Sequence, residues 1–148
     1  MPWLNGCIEI ECFFVVGYIR KAIMIHSGSC HCGAVTFEVA VAGTLEAVRC
    51  NCSICTKAGY LHLIAPKRDF TLLTGKDVLS VYAFNTKVAK HTFCSVCGVK
   101  PFYTPRSNPD GVGVNINCLD PIPADITVSD FDGQNWEVNA HTLAHKSQ

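Results

Sequence analysis

Seven of the ten cysteines in this 148-residue chain fall into three short clusters. Closely spaced cysteines are typical metal ligands, because a thiolate binds zinc strongly and neighbouring sulfur atoms can reach one ion. A disulfide scaffold is less favoured, since the first residues contain no basic stretch followed by an apolar run that would form a secretory signal. The clusters are Cys30/Cys32, Cys50/Cys52/Cys55 and Cys94/Cys97. The chemistry expected of them is therefore zinc binding.

The first and third clusters together offer four sulfur ligands. Cys30 and Cys32 are one residue apart, so on an extended segment both thiols point to the same side. Cys94 and Cys97 are followed by Gly98, which can take a positive φ in a tight turn and direct backbone N–H groups at the sulfurs. Four protein ligands at about 2.3 Å complete a tetrahedral zinc site. We therefore predict that these four cysteines form a structural zinc site.

The middle cluster has a different character, because it supplies three thiols within six residues and no fourth cysteine lies nearby. A zinc ion with three protein ligands keeps one position open for water or substrate. There it can polarise a carbonyl group or hold an incoming thiolate. Cys50, Cys52 and Cys55 are therefore predicted to hold a second, catalytic zinc.

A different pairing is also compatible with the spacing. Cys52/Cys55 and Cys94/Cys97 are both Cys-x-x-Cys motifs, and together they could form one four-sulfur site. Cys118 would then be free to act as a nucleophile, as in the methionine sulfoxide reductases that carry such a zinc. This pairing gives no role to the remaining clustered cysteines, whereas the first pairing uses all seven.

Three further residues are candidates for contact with a substrate. Arg106 and Asn108 lie in a loop bounded by prolines, and a guanidinium group can bind a carboxylate through two hydrogen bonds. The alternative is a rigid turn with a surface ion pair. His62, like His91, could carry a proton or could be a core residue beside the ligands.

The elements that position these residues are predicted to be mostly strands. Apolar and polar residues alternate over residues 35–41, with the period of two that is typical of a half-buried strand. No segment has a long helical period, so we expect only short helices. Further strands are predicted over residues 45–49, 60–65, 70–73, 78–84, 88–93, 100–103, 112–116 and 126–131.

The length of the chain favours a single domain. Residues 1–23 are unusually apolar and are interpreted as an extension, and residues 24–148 as one zinc-binding domain. Cys7 and Cys12, which lie in the extension, are expected to be buried or free thiols. The apolar stretch 8–19 is too short to cross a bilayer, for which about 20 residues are needed.

Charge argues against a polyanionic partner. Only 16% of the residues are charged, and Lys plus Arg and Asp plus Glu each number 12. Such a chain has no long-range field to attract nucleic acid or an anionic membrane surface. Reduced thiols suit the cytoplasm, which is the expected location.

Four segments resemble the glutathione-dependent formaldehyde-activating enzyme family, and most closely its centromere protein V branch. They are GSCHCGAV at 28–35, CNCSIC at 50–55, HTFCSVCGV at 91–99 and PRSNP at 105–109. The resemblance covers residues 26–136. It implies a mainly β fold, the Mss4-like β-tent of short antiparallel strands stapled by zinc. It also implies two zinc ions per chain, divided between the cysteines as in the first pairing above.

The family resemblance also implies a reaction, the condensation of formaldehyde with glutathione to S-hydroxymethylglutathione by a carbon-sulfur lyase. The chain is shorter after the last motif than the glutathione enzyme is, and it lacks the basic, proline-rich N-terminal region of animal centromere protein V. The function hypothesis is therefore addition of a small thiol to an aldehyde, or the reverse cleavage. The competing hypothesis is a noncatalytic zinc module that binds a partner protein, which a fourth protein ligand on the second metal would favour.

Overall fold

The computed structural model describes residues 21–148. The predicted extension over residues 1–23 therefore lies outside the described residues except for its last three positions, and Cys7 and Cys12 lie outside them as well. Within the described range there are ten strands and two short α-helices. The strands are β1 Ile23–Ser29, β2 Thr36–Ala42, β3 Leu45–Cys50, β4 Leu61–Pro66, β5 Phe70–Thr74, β6 Leu79–Tyr82, β7 His91–Cys94, β8 Phe102–Tyr103, β9 Gly111–Asn115 and β10 Ile126–Phe131.

The helices are short, as predicted. The α-helices are α1 Ser53–Ala58 and α2 Trp136–Asn139, and the 3-10 helices are Lys67–Asp69, Lys76–Val78, Ile116–Cys118, Gly133–Asn135 and Ala140–Ser147. Helix α1 ends where Gly59 adopts a left-handed conformation with φ 59°, which glycine does at little cost. No helix among residues 21–148 is long and apolar enough to cross a membrane.

The largest sheet has five strands in the order β10-β3-β4-β9-β8. Strands β3, β4, β9 and β8 pair antiparallel with their neighbours, whereas β10 pairs parallel with β3. Every residue of β9 is buried, as expected of a strand that lies inside the sheet between β4 and β8. The parallel pairing matters for the site, because it brings the chain that leaves β10 beside the end of β3.

A second sheet of three strands, in the order β1-β2-β5, covers the main core. Val35, Phe37 and Val39 are fully buried, which confirms the predicted alternation. The Phe37 ring lies with its centroid 5.6 Å from that of Phe70 and 5.8 Å from that of Phe102. Aromatic pairs at such separations contribute dispersion beyond the burial of their surface. These three rings join the second sheet to the five-stranded one.

The mainly β fold of short strands is thus confirmed, with two differences from the sequence-based pattern. Strand β1 was not predicted, and β10 joins β3 in parallel. A third, two-stranded sheet pairs β6 with β7 and carries Cys94 opposite Leu79.

Asn108 fixes the C-terminal segment to the fold. The side chain is 1% exposed, and its amide nitrogen donates hydrogen bonds to the Leu143 carbonyl at 3.0 Å, the Ala144 carbonyl at 3.2 Å and the Ser147 hydroxyl at 2.9 Å. Leu143 packs in turn into a small cluster with Phe131 and Ile64. The C-terminal segment is therefore packed against the five-stranded sheet.

We expect Asn108→Ala to lower the free energy of unfolding by about 1–3 kcal/mol, because buried acceptors lose their donor. Amide hydrogen exchange over residues 140–147 should rise most. The matched control is Asn117→Ala, which removes one exposed bond to the Gly59 carbonyl and should change stability little. Equal losses in the two variants, measured by thermal unfolding and hydrogen exchange, would contradict this role.

Candidate functional site

The structure brings Cys30, Cys32, Cys94 and Cys97 together from two distant turns. Their sulfur atoms all lie within 4.8 Å of one another. The Cys30 and Cys32 sulfurs are 3.6 Å apart, and those of Cys32 and Cys94 are 3.8 Å apart. A tetrahedron with metal–sulfur bonds of about 2.3 Å requires sulfur separations of about 3.8 Å. The spacing therefore fits a single ion enclosed by four thiolates.

Backbone groups stabilise negative charge on this four-cysteine cluster. The Val35 N–H donates to the Cys30 sulfur at 3.3 Å. Backbone hydrogen bonds from Cys32 and Val99 lower the pKa of Cys97 to about 6. Gly98 follows Cys97 with φ 75°, as the tight turn requires. The turns thus present N–H donors to sulfur, which favours the thiolate form that binds metals.

The three-cysteine cluster, Cys50/Cys52/Cys55, lies at the junction of β3 and α1. Cys50 ends β3, Cys52 precedes α1, and Cys55 lies in its first turn. The three sulfur atoms lie within 4.8 Å of one another, and no other His, Cys, Asp or Glu in residues 21–148 joins this group. All three side chains are partly exposed. The arrangement can hold a metal ion and leaves one side of it without a protein ligand.

Thiols this close cannot all ionise without a cation. Hydrogen bonds from Cys50 and Cys55 lower the pKa of Cys52 to about 2. The same contacts, with Cys50 and Cys52, raise the pKa of Cys55. Ionisation of one thiol therefore opposes ionisation of its neighbours, and three thiolates would require a metal ion to neutralise them. Sulfur donors of this kind select borderline and soft ions such as zinc.

Gly133 makes room for this cluster and was missed in the sequence. A Cβ atom at this position would collide with the Cys50 sulfur and approach the Cys52 Cβ to 3.1 Å. Gly133 reaches the site because Phe131, at the end of β10, is paired with Cys50 in the parallel register. No sign of this role was visible in the sequence, because a parallel neighbour cannot be deduced from a local pattern.

Asn51 stabilises the junction of β3 and α1. Its amide nitrogen donates to the Asp132 carboxylate at 3.0 Å, and its side-chain oxygen accepts from the Gln134 N–H at 3.0 Å. Hydrogen bonds from Asn135 and Asn51 lower the pKa of Asp132. The loop between β3 and α1 is thus tied to the loop after β10, and both frame the second cluster.

A cavity of about 360 Å³ opens beside the three-cysteine cluster. All three cysteines line it, together with Gly133. Apolar side chains form part of its other walls: Val48, Ile64, Phe84, Phe131, Trp136 and Leu143. Neutral polar side chains also line it, among them Ser53, Asn85, Thr86, Ser107 and Gln134. A volume of this size accommodates a small organic molecule.

His62 and Tyr103 line the cavity as a hydrogen-bonded pair. The Tyr103 hydroxyl lies 3.0 Å from His62 Nδ1, and His62 Nε2 is buried without a hydrogen-bond partner. Burial lowers the pKa of His62 to about 4 and raises that of Tyr103 well above its usual value. His91 stacks on Tyr103 with ring centroids 5.4 Å apart. Tyr103 was missed because its strand position gave no sign of the cross-strand contact.

The two residues of the proline-bounded loop have different surroundings. Arg106 lines the cavity, donates to the Glu137 carboxylate at 2.7 Å, and lies 3.6 Å over the Trp136 ring. Asn108 does not line the cavity, and its amide is fully engaged by the C-terminal segment. Neither Trp136 nor Glu137 was singled out in the sequence.

The alternative cysteine pairing is wrong, because Cys52/Cys55 and Cys94/Cys97 belong to separate sulfur groups. Cys118 belongs to neither group. Burial raises the pKa of its thiol to about 11, which makes it a poor nucleophile at neutral pH. The geometry therefore gives no support to a methionine sulfoxide reductase-like site.

Comparison with known proteins agrees with this geometry. A family model described as glutathione-dependent formaldehyde-activating enzyme matches residues 25–132. A Halomonas elongata protein, named provisionally as a glutathione-dependent formaldehyde-activating enzyme, is 35% identical over 82 residues, which are 50% of this chain and 52% of that protein. The chain thus aligns with about half the length of this curated relative.

A solved structure shares the fold. The crystal structure of a Rhodobacter sphaeroides protein matches with a TM-score of 0.60 and 35% identity, over 70% of this chain and 99% of that chain. The family match spans more than half of the present chain and includes both cysteine clusters. The chain belongs to the glutathione-dependent formaldehyde-activating enzyme family.

Proposed function

We propose that this protein is a zinc-dependent enzyme that adds a small thiol to a small aldehyde, or catalyses the reverse cleavage. The observation that carries the proposal is the three-cysteine cluster, which no fourth protein ligand among residues 21–148 completes and which lines a cavity. The family description, with its thiol and its aldehyde, supports this choice of reaction. Formaldehyde is the proposed aldehyde.

The reaction requires no oxidant or reductant. The sulfur of the thiol forms a bond to the carbonyl carbon, the π electrons of the carbonyl move to its oxygen, and the proton of the thiol ends on that oxygen. Zinc with an open position supplies Lewis acidity toward a carbonyl oxygen or stabilises a thiolate. The protein must then bring the two reactants together and manage one proton.

We propose that the Tyr103–His62 pair transfers the proton of the thiol and stabilises the carbonyl oxygen of the aldehyde. Burial keeps both side chains neutral. Of the two tautomers that fit the 3.0 Å contact, we assign the one in which the Tyr103 hydroxyl donates to His62 Nδ1 and the imidazole proton resides on Nε2. A neutral N–H or O–H in a cavity of low polarity can donate to an oxygen that gains charge. Phe131 and Leu143 add apolar surface to the cavity, and a less polar environment strengthens such contacts.

The four-cysteine cluster is proposed to hold a structural zinc. Its four sulfur ligands would complete a tetrahedron, so no coordination position would be left for a solute, although Cys32 is exposed. A closed site joins the turn after β1 to the end of β7, and its binding energy is folding energy. The free thiols of the described residues are proposed to work in the reducing cytoplasm.

Metal content should separate the two clusters. We expect the wild-type protein to contain two zinc ions and Cys52→Ser to keep one with its fold intact. Cys94→Ser should unfold at a much lower temperature, because structural zinc contributes about 10 kcal/mol or more to small metal-stabilised domains. Elemental analysis and circular dichroism provide the measurements, with Cys118→Ser as the control that keeps both ions. If folded Cys52→Ser still contained two zinc ions, the assignment of one ion to each cysteine cluster would be refuted.

Activity should depend on the open cluster. Because thiols and formaldehyde also add spontaneously, turnover is measured by NMR exchange spectroscopy as the rate above buffer. We expect Cys52→Ser to fall to the buffer rate, while Cys118→Ser stays at the wild-type rate. Unchanged turnover in a folded Cys52→Ser protein would remove the second metal from the chemistry and favour a noncatalytic zinc module.

The Tyr103 hydroxyl should affect kcat more than KM. Tyr103→Phe is expected to lower kcat by about tenfold to a hundredfold. The substitution leaves His62 Nδ1 without a donor, so the imidazole is no longer held in one tautomer. The matched control is Tyr60→Phe, which removes the bond to the Gly113 carbonyl outside the cavity lining and should cost stability only. Zinc content must stay the same in both variants. Equal kcat values for Tyr103→Phe and wild type would exclude the assignment.

A further inference from the structure

We propose that Lys100 is the countercharge of the three-cysteine cluster: its ammonium group offsets the negative charge of the metal–thiolate centre, so that the open position can accept a substrate thiolate. The inference rests on the proposed function, because it concerns the metal ion that Cys50, Cys52 and Cys55 are proposed to bind. Three observations carry it. Lys100 is partly buried without a carboxylate partner among the described residues, it lines a small pocket together with Cys55, and its amine contacts His91.

Lys100 is partly withdrawn from solvent and forms no ion pair within the described part of the chain. The ion pairs found there are formed by Arg49, Arg106 and Lys146 instead. An ammonium group loses hydration when it is buried, so lysine is rarely removed from water unless a partner compensates. The ring of Tyr60, with its centroid 5.9 Å from Nζ, compensates only in part. The charge of Lys100 therefore requires another anionic group.

A small pocket is lined both by Lys100 and by a member of the three-cysteine cluster, Cys55. His91 and Tyr103 line the same pocket. Its volume of about 10 Å³ leaves room for at most one water molecule, so little solvent screens the charges around it. Burial lowers the pKa of Lys100, and the thiolates of Cys55 and Cys52 oppose this shift. The cluster is therefore the anionic group that acts on the ammonium of Lys100.

His91 orients the amine of Lys100 without neutralising it. Nζ lies 3.4 Å from His91 Nδ1, and an ammonium group has only donors, so Nδ1 accepts and the imidazole proton resides on Nε2. Burial, with the charge of Lys100 as the second cause, lowers the pKa of His91 to about 4. The imidazole ring stacks on Tyr103 and lines the cavity, whereas Lys100 does not line it. Lys100 therefore acts on the site through its charge and through His91, and not by direct contact with a substrate in the cavity.

The charge count of the centre shows what Lys100 contributes. Three thiolates with one divalent ion carry a net charge of about minus one. A thiolate in the fourth position would raise this to about minus two, and such charges repel strongly where water screens them little. The ammonium of Lys100 returns the sum to about minus one. Two other cations adjoin the cluster in sequence, but Lys57 is exposed and Arg49 pairs with Asp130, so solvent or a carboxylate already balances them.

Isothermal calorimetry with zinc-loaded protein tests this role without turnover. Glutathione in the absence of formaldehyde forms no product, and S-methylglutathione differs from it only in lacking a thiol that can ionise. We expect Lys100→Met to bind glutathione about tenfold more weakly than the wild type, because one nearby charge is lost. S-methylglutathione should bind equally to both proteins, and both should contain two zinc ions. Equal losses for the two ligands, or no binding of glutathione to the wild type, would overturn the proposal.

Two further variants separate the charge from the hydrogen bond. Lys100→Arg keeps the charge and should retain the wild-type affinity for glutathione. Lys100→Gln keeps a donor for His91 Nδ1 but no charge, and it should bind glutathione as weakly as Lys100→Met does. The matched control is Lys57→Met, which removes an exposed lysine close to Cys55 in sequence and should change the affinity little. Wild-type affinity in Lys100→Gln, or an equal loss in Lys57→Met, would contradict the role of the charge.

Turnover distinguishes this inference from the proposed function. With formaldehyde present, the KM for glutathione should rise about tenfold in Lys100→Gln, whereas the KM for formaldehyde should stay close to the wild-type value. If no protein exceeds the buffer rate but the affinity for glutathione still depends on this charge, the proposed reaction fails and the role of Lys100 stands. If turnover exceeds the buffer rate while Lys100→Gln and the wild type bind glutathione equally, the role of Lys100 fails and the reaction stands.

Discussion

The convergence of sulfur atoms from distant turns is the constraint on which this structure depends. Cys32 and Cys94 are separated by 62 positions in the chain, yet their sulfurs lie 3.8 Å apart. Thiolates at this distance repel one another unless a cation lies between them. The two-stranded sheet β6-β7 and the sheet that contains β1 share no strand, so an ion bound by the four cysteines would fasten one to the other. Metal binding would then be coupled to folding.

The second cluster depends on the same sheet geometry in another way. Parallel pairing of β10 with β3 places Phe131 beside Cys50, and the chain then turns through Gly133 against the sulfur. An antiparallel neighbour would carry the chain away from this end of β3. Asn51 holds both loops through its contacts with Asp132 and Gln134. The open side of the cluster is thus fixed by backbone position as well as by cysteine spacing.

The sequence predicted the features that depend on local chemistry. Ligand spacing identified all seven clustered cysteines, and the alternation around Phe37 identified a core strand, because both signals repeat over a few residues. Strand β1 escaped detection because Ile23 and Ile25 are exposed and show no alternation. Tyr103, Gly133 and Glu137 could not be predicted, since each acts through a contact made only in the folded chain. Asn108 was a candidate for substrate contact because it is polar and lies in a loop. In the folded chain its side chain is instead buried by residues more than thirty positions away.

The difference between the two clusters lies in the number of ligands that each one supplies. Cys30 and Cys94 are buried and Cys32 is exposed, but four sulfurs fill all the positions of a tetrahedral ion. Cys50, Cys52 and Cys55 supply three ligands, are partly exposed, and line a cavity with both apolar and polar walls. In such a cavity each charge acts over a longer range than it would in water. Arg106, held by Glu137 and the Trp136 ring, lies at this cavity, while the four-cysteine cluster joins the turns of the fold that positions it.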